Sequence, residues 1–317
     1  MSTTSSILQT QESTEREQQR RLPFHFPAES DSWLAVLRIG LGLVVLLYAA
    51  TLRGDWLYLF SGTGKGLASR QLFEALLSTQ SPLAPRLGWL MEPSRWFGLQ
   101  ESAALYVAWG LLLGAGLCLI FGFFSRAAAI VAWFLHLAAA NSGGPLTYGF
   151  DNFTTIGLFY LMIAPLPDRW SLDRRWHSGS RADTHILGFH RRLLQVHLCL
   201  VYFFSGLTKS FGAGWWNGDN AWYALTLPSY AQWPISWVAK LAPVLPAIGI
   251  FVFALELSYP FLIWSKRSRY FVLAAICILH GATGVMMGMR LFALVMLVLN
   301  LAAFGVPARL RLTAVKV

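Results

Sequence analysis

Charged residues are scarce in this chain: Asp, Glu, Lys and Arg make up 13% of its 317 residues, against 56% that are hydrophobic. A soluble domain carries roughly 25% charged residues. The deficit, with a mean hydropathy of +0.51, excludes an ordinary soluble domain and points to a polytopic membrane protein. Acidic residues are scarcest, 15 against 25 Lys and Arg, which leaves a net charge of +10. The basic residues form short clusters between apolar runs, where they read as topology signals, and no nucleic-acid partner is expected. Cysteine is nearly absent. Cys118, Cys199 and Cys277 all lie in apolar runs without a CxxC pair or metal spacing, so neither a disulfide framework nor a metal site is indicated. No internal repeat is evident, which counts against the inverted-repeat design of secondary transporters; a transporter rests only on buried charge and ranks third among the functions considered. The opening stretch, 1–30, is rich in Ser, Thr, Gln, Glu and Arg and lacks the apolar core of a signal peptide. It reads as a disordered cytoplasmic tail.

What is present is apolar length. A helix needs about 20 apolar residues to cross a bilayer, and about eight segments qualify as candidates: 33–52, 102–122, 126–141, 151–167, 192–211, 242–264, 269–287 and 291–306. The expected fold is an all-α, polytopic transmembrane helical bundle spanning 31–307, followed by a short basic cytoplasmic tail, 308–317. Arg126, the arginines of 169–192, the Lys266-Arg267-Arg269 cluster and the basic groups of both tails fall on one side of eight spans. By the positive-inside rule, both termini are then cytoplasmic and the protein sits in a plasma (bacterial inner) membrane. The connections 55–100 and 215–240 fall on the outer side and hold most of the fourteen tryptophans. They read as interfacial or re-entrant helices, serving either as headgroup-level anchors or as a lid over a pocket.

Ionisable residues inside spans are costly and are site candidates by default. Here they are Arg38, His136, His197, Lys209, Glu256 and His280, with Asp151 at a helix start and Arg290 between the last two spans. Each has a structural alternative. Arg38 and Glu256 form either a buried ion pair or a substrate clamp. Asp151 either caps its helix as N-cap or faces a ligand. His136 reads as a packing histidine, and His197 lies off the polar face of its helix. That face, Gln195, Cys199, Tyr202, Gly206 and Lys209, forms one narrow helical stripe in the fifth span. Lys209 either snorkels to the interface or, desolvated, offers an amine as a general base.

Three local patterns carry a resemblance. Tyr202-Phe-Phe-Ser-Gly206-Leu-Thr-Lys209, followed by Trp215-Trp216-Asn-Gly218, resembles a stretch of the vitamin K-dependent gamma-carboxylase and its bacterial relatives, the horizontally transferred transmembrane (HTTM) domain proteins. Gly149-Phe150-Asp151 through Trp170-Ser171-Leu172-Asp173 looks like the family's Gly-x-Asp helix and its closing turn, and the helix led by His280 resembles another family segment. The resemblance implies a pocket for a reduced naphthoquinone of the vitamin K or menaquinol type. Lys209 would be the catalytic base, Tyr202 and His280 its hydrogen-bond partners, and Trp215 and Trp216 a shield from water. Gly206, Asp151, Arg38 and Glu256 complete the expected pocket, and no metal is expected. The carboxylase has a histidine early in the helix where this chain reads Asp151-Asn152-Phe153, and its large lumenal domain has no counterpart here. The implied activity is a quinol- and O2-coupled modification, carboxylase- or epoxidase-like, at the outer face. The alternative is a non-catalytic factor for maturation or export of a secreted peptide, or a quinone-associated subunit. The lipid bilayer is the one partner expected in either case.

Overall fold

A computed structural model describes residues 26–62, 69–176 and 184–307. Among them the regular elements are helical throughout. Helices occupy all eight expected apolar segments: α1 (Ser32–Thr51), α5 (Glu101–Phe121), α6 (Ser125–Gly143), α7 (Gly149–Ile163), α9 (Thr184–Ser210), α13 (Leu245–Leu262), α14 (Arg269–Met286) and α15 (Arg290–Asn300). Four helical stretches are long and apolar enough to cross a membrane: α1, α5, α14, and a continuous Ile235–Leu262 that joins α12 (Ile235–Leu241) to α13 through a 3-10 turn. The other expected spans are shorter or more polar; α15, for example, has 11 residues and runs on into a π-helical turn, Leu301–Gly305. The two tryptophan-rich connections fold as short helices, α2 (Trp56–Phe60), α3 (Arg70–Gln80) and α4 (Gly88–Trp96) in one, α10 (Ala213–Trp216), α11 (Asp219–Thr226) and α12 in the other.

The bundle has two halves. In one, α1 packs along α5, and α6 lies against both α5 and α7; in the other, α9 packs along α13. Helix α15 joins the halves, touching α14 on one side and α1 and α7 on the other. Small residues permit the closest crossings. A Cβ on Gly42 would lie 2.8 Å from the backbone N of Ile120, and one on Gly116 would lie 2.9 Å from that of Leu46, so α1 and α5 meet backbone to backbone.

One end of the bundle is tied by Arg38, which is fully buried. Its Nε donates to Asp168 Oδ2 at 2.5 Å and its Nη2 to Oδ1 at 3.2 Å. Its Nη1 donates to the carbonyls of Leu119 and Ile120 at the end of α5, where a helix terminus has carbonyls to satisfy. Nearby, Asp173 opens α8 (Leu172–Trp176). Its carboxylate accepts from the Phe124 and Ser125 amides and from Ser125 Oγ, capping α6 from outside that helix. The Trp170-Ser171-Leu172-Asp173 turn is therefore a structural clasp. Glu29, inside the expected N-terminal tail, is buried and pairs with Arg191 of α9. Residues 1–25 and the expected basic tail lie outside the described residues.

At the opposite end, Arg70 fastens the α2–α4 layer to the bundle. It donates to Phe60 O, Glu74 and Glu101 at 2.7–2.8 Å. Glu74 in turn accepts from Ser142 Oγ of α6 and from the Gly88 amide.

Candidate functional site

The residues of α9 that form the polar stripe are buried in its lower part and open into a cavity near its end. Gln195, Cys199, Tyr202 and Gly206 are buried. Gly206 lets α13 close on α9: a Cβ there would lie 2.6 Å from the backbone N of Leu257. That close crossing brings Glu256 of α13 to Lys209. The lysine Nζ donates to both carboxylate oxygens, at 2.7 and 2.5 Å, and to Ser205 Oγ at 2.8 Å. It also lies 5.3 Å from the ring centroid of Trp215. The Glu256 side chain is 7% exposed and that of Lys209 21%, so the pair is desolvated on the carboxylate side and partly open on the ammonium side.

Beside this pair lies a hydrogen-bonded chain contributed by four helices. Tyr259 of α13 donates to Asn300 Oδ1 of α15 at 2.8 Å, and Asn300 Nδ2 donates to the Tyr202 hydroxyl of α9 at 2.7 Å. The Tyr202 hydroxyl lies 2.8 Å from His280 Nε2 of α14. Because Asn300 Nδ2 already donates to the Tyr202 hydroxyl, Tyr202 has its own proton to give to Nε2, which leaves the ring proton on Nδ1. Among the described residues Nδ1 has no hydrogen-bond partner. The chain thus fixes the histidine ring as Asn300 fixes Tyr202.

Lys209, Glu256, Ser205, Tyr202 and His280 converge on a cavity of ≈ 410 Å³ whose remaining walls are mostly apolar, among them Val201, Leu245, Leu279, Met286, Phe292 and Met296. Helices α10–α12 close it from the bundle end, with Trp215 and Leu241 in the wall. An apolar pocket with a few convergent polar groups is the usual form of a small-molecule site.

Several expectations are corrected. Arg38 and Glu256 do not pair: Arg38 is held by Asp168 at the far end of the bundle and Glu256 by Lys209. The cause is helix direction, since Arg38 lies early in α1, at the end of the bundle away from the α9 terminus. Arg38 is therefore no part of the pocket. Trp216 faces away from the cavity, stacked 4.8 Å from Phe253, with its Nε1 on Ser210 O. Gly206 serves the α9–α13 crossing and does not line the pocket. Asp151 is three residues into α7 rather than its N-cap; its Oδ2 accepts from the Tyr148 amide at 3.0 Å, half of a capping box with Tyr148 as N-cap. It lines a second, separate cavity. His136 is fully buried against Tyr48, and His197 pairs with Tyr160.

Sequence reasoning missed Asn300, Tyr259 and Ser205. Asn300 carried a signal, being a lone amide in an apolar run, yet only non-ionisable polarity marks it.

A family model described as the HTTM domain matches residues 94–305. No curated protein and no solved structure matches the chain. The family match covers well over half of the sequence and all the residues that line the cavity beside Lys209, and the chain belongs to the HTTM domain family.

Proposed function

We propose that this protein is an integral inner-membrane enzyme that binds a reduced naphthoquinone in the α9–α13–α14–α15 cavity and uses it, with dioxygen, in a carboxylase- or epoxidase-like reaction. The observation that carries the proposal is the pairing of Lys209 with Glu256 in the lining of an apolar cavity that also holds His280, itself bonded to Tyr202. The donor set fits the group. Apolar walls suit a fused ring and prenyl chain, and Lys209, Ser205 and His280 in the lining would offer polar atoms to ring oxygens. When bound, a reduced naphthoquinone is the reductant: with dioxygen it yields the 2,3-epoxide and water.

The chain's own residues would do three things. Lys209 and Glu256 act as one proton-accepting unit: a proton arriving at the pair is held between Nζ and the carboxylate, and the charge left on a ring oxygen faces the ammonium. His280, oriented by Tyr202 and Asn300, would help to hold the ring in the cavity. Trp215 and helices α10–α12 exclude water. In the membrane we infer about eight crossings with both termini cytoplasmic. The basic residues Arg126, Arg169, Arg174, Arg175, Lys266 and Arg267, in connections or short or terminal helical turns at the Arg38 end, support that orientation, in which the cavity would lie toward the outer face.

One observation favours a second reading, a non-catalytic factor for a secreted peptide or a quinone-associated subunit. Lys209 already has Glu256 and Ser205 as partners, so its charge is satisfied without a ligand. The experiment that separates the two supplies reduced menaquinone and oxygen to purified wild type and Lys209→Ala and measures epoxide. Epoxide from wild type alone supports the enzyme; none from either, or equal amounts from both, removes the proposed role of Lys209.

A further inference from the structure

The second cavity, ≈ 240 Å³, lies between α1, α2, α6 and the start of α7. Tyr48, Phe60, Tyr148 and Phe150 line it, together with Asp151. The rings touch one another: Tyr48 and Phe150 have centroids 5.5 Å apart, Tyr148 and Phe150 5.8 Å. Asp151 is 5% exposed. Its Oδ2 accepts from the Tyr148 amide, and the Nε2 of His136 lies 3.8 Å from Oδ1. No Lys or Arg lines the cavity. Aromatic faces attract cations by their quadrupole, and a carboxylate beside them supplies a counter-charge.

We propose that this cavity is a binding site for an organic ammonium group. A carboxylate oxygen supplies the counter-charge and a ring-lined wall the cation–π surface, a combination suited to primary or quaternary ammonium and hostile to anions. The volume is below the ≈ 300 Å³ of a typical whole-ligand pocket, so it takes the head of a molecule whose remainder lies outside. Two sources share this chemistry, an amine-bearing phospholipid and a small free amine. Leu146 and Tyr148 at the rim are 51% and 37% exposed, at the helix ends where a lipid headgroup would lie. The proposal is independent of the quinol reading: Phe153 and Phe292, in contact at 6.0 Å, line the larger cavity, whereas their neighbours Asp151 and Leu291 line this one.

The test is native mass spectrometry of the full-length protein from micelles holding equal phosphatidylethanolamine and phosphatidylglycerol, repeated with ethanolamine added. Wild type should retain the ethanolamine lipid about tenfold over the glycerol lipid. Asp151→Asn, which keeps an oxygen for the Tyr148 amide, should lose that preference, and Tyr148→Leu should weaken it several-fold. Displacement of the lipid by millimolar ethanolamine would assign the site to free amines and still support an ammonium site. Equal retention of the two lipids with no ethanolamine bound, or an unchanged preference in Asp151→Asn, would overturn it. Should Asp151→Asn fail to fold, an unchanged preference in Tyr148→Leu would overturn it instead.

Discussion

Replacing Glu256 by leucine leaves the Lys209 ammonium in an apolar crevice with Ser205 Oγ as its one remaining hydrogen-bond partner. In the wild type Nζ makes two charge-assisted bonds to the carboxylate, at 2.7 and 2.5 Å. Removing one member of a buried pair costs about 3–5 kcal/mol. The lysine side chain is 21% exposed, so partial solvation brings the expected loss to the lower end, about 3 kcal/mol. Lys209→Met should cost less, about 2 kcal/mol, because an unpaired buried carboxylate can take up a proton. The double variant should recover most of both losses, since replacing a buried pair with apolar residues is often near neutral. The assay is equilibrium unfolding in mixed micelles with a denaturing detergent, followed by tryptophan fluorescence. A coupling energy of about 3–4 kcal/mol between the sites is the expected result. Additive losses, with coupling below about 0.5 kcal/mol, would refute the pair as an energetic unit and with it the shared proton.

Three further outcomes follow from the same geometry. Arg38→Leu, which strands Asp168 in a fully buried position, should cost about 3–5 kcal/mol in the same unfolding assay, yet leave ligand affinity at the distant cavity unchanged in whatever protein folds. Gly206→Ala should cost about 1–3 kcal/mol by forcing α9 from α13; it should also lower quinone affinity, read by tryptophan quenching, because Lys209 and Glu256 separate. Asn300→Leu removes both an acceptor for Tyr259 and a donor to Tyr202 and should lose about 1–3 kcal/mol, with epoxide formation falling more than in Tyr259→Phe, which leaves the Tyr202 bond in place.

The helices were legible because apolar length and interrupting Gly, Pro and charge clusters are local properties: all eight expected segments are helical. Their crossing was less so. Segments such as α7 and α15 reach 15 and 11 residues, and a stretch too short by composition gives no indication of what covers its ends. The stripe through Tyr202, Gly206 and Lys209 was readable from helical periodicity, which identifies a face but not its partner. Partners require knowing which helix ends coincide, and on that the sequence is silent. For that reason Glu256 was expected to meet Arg38, when antiparallel packing brings it to Lys209 and delivers Arg38 to Asp168, a loop residue that no apolar run marks. Asn300 and Tyr259 escaped notice because a neutral side chain in an apolar helix has no charge to explain, although their amide and hydroxyl still had to find donors and acceptors once buried.

The central claim is that the cavity beside Lys209 and His280 takes the head of a reduced naphthoquinone. An electron cryo-microscopy structure of the purified protein with reduced menaquinone, collected without oxygen, tests it most directly. The expected result is ring density between the Lys209–Glu256 pair and His280, with the prenyl chain along Leu279 and Met286. Ring density elsewhere, or an empty cavity at saturating quinol, would contradict it.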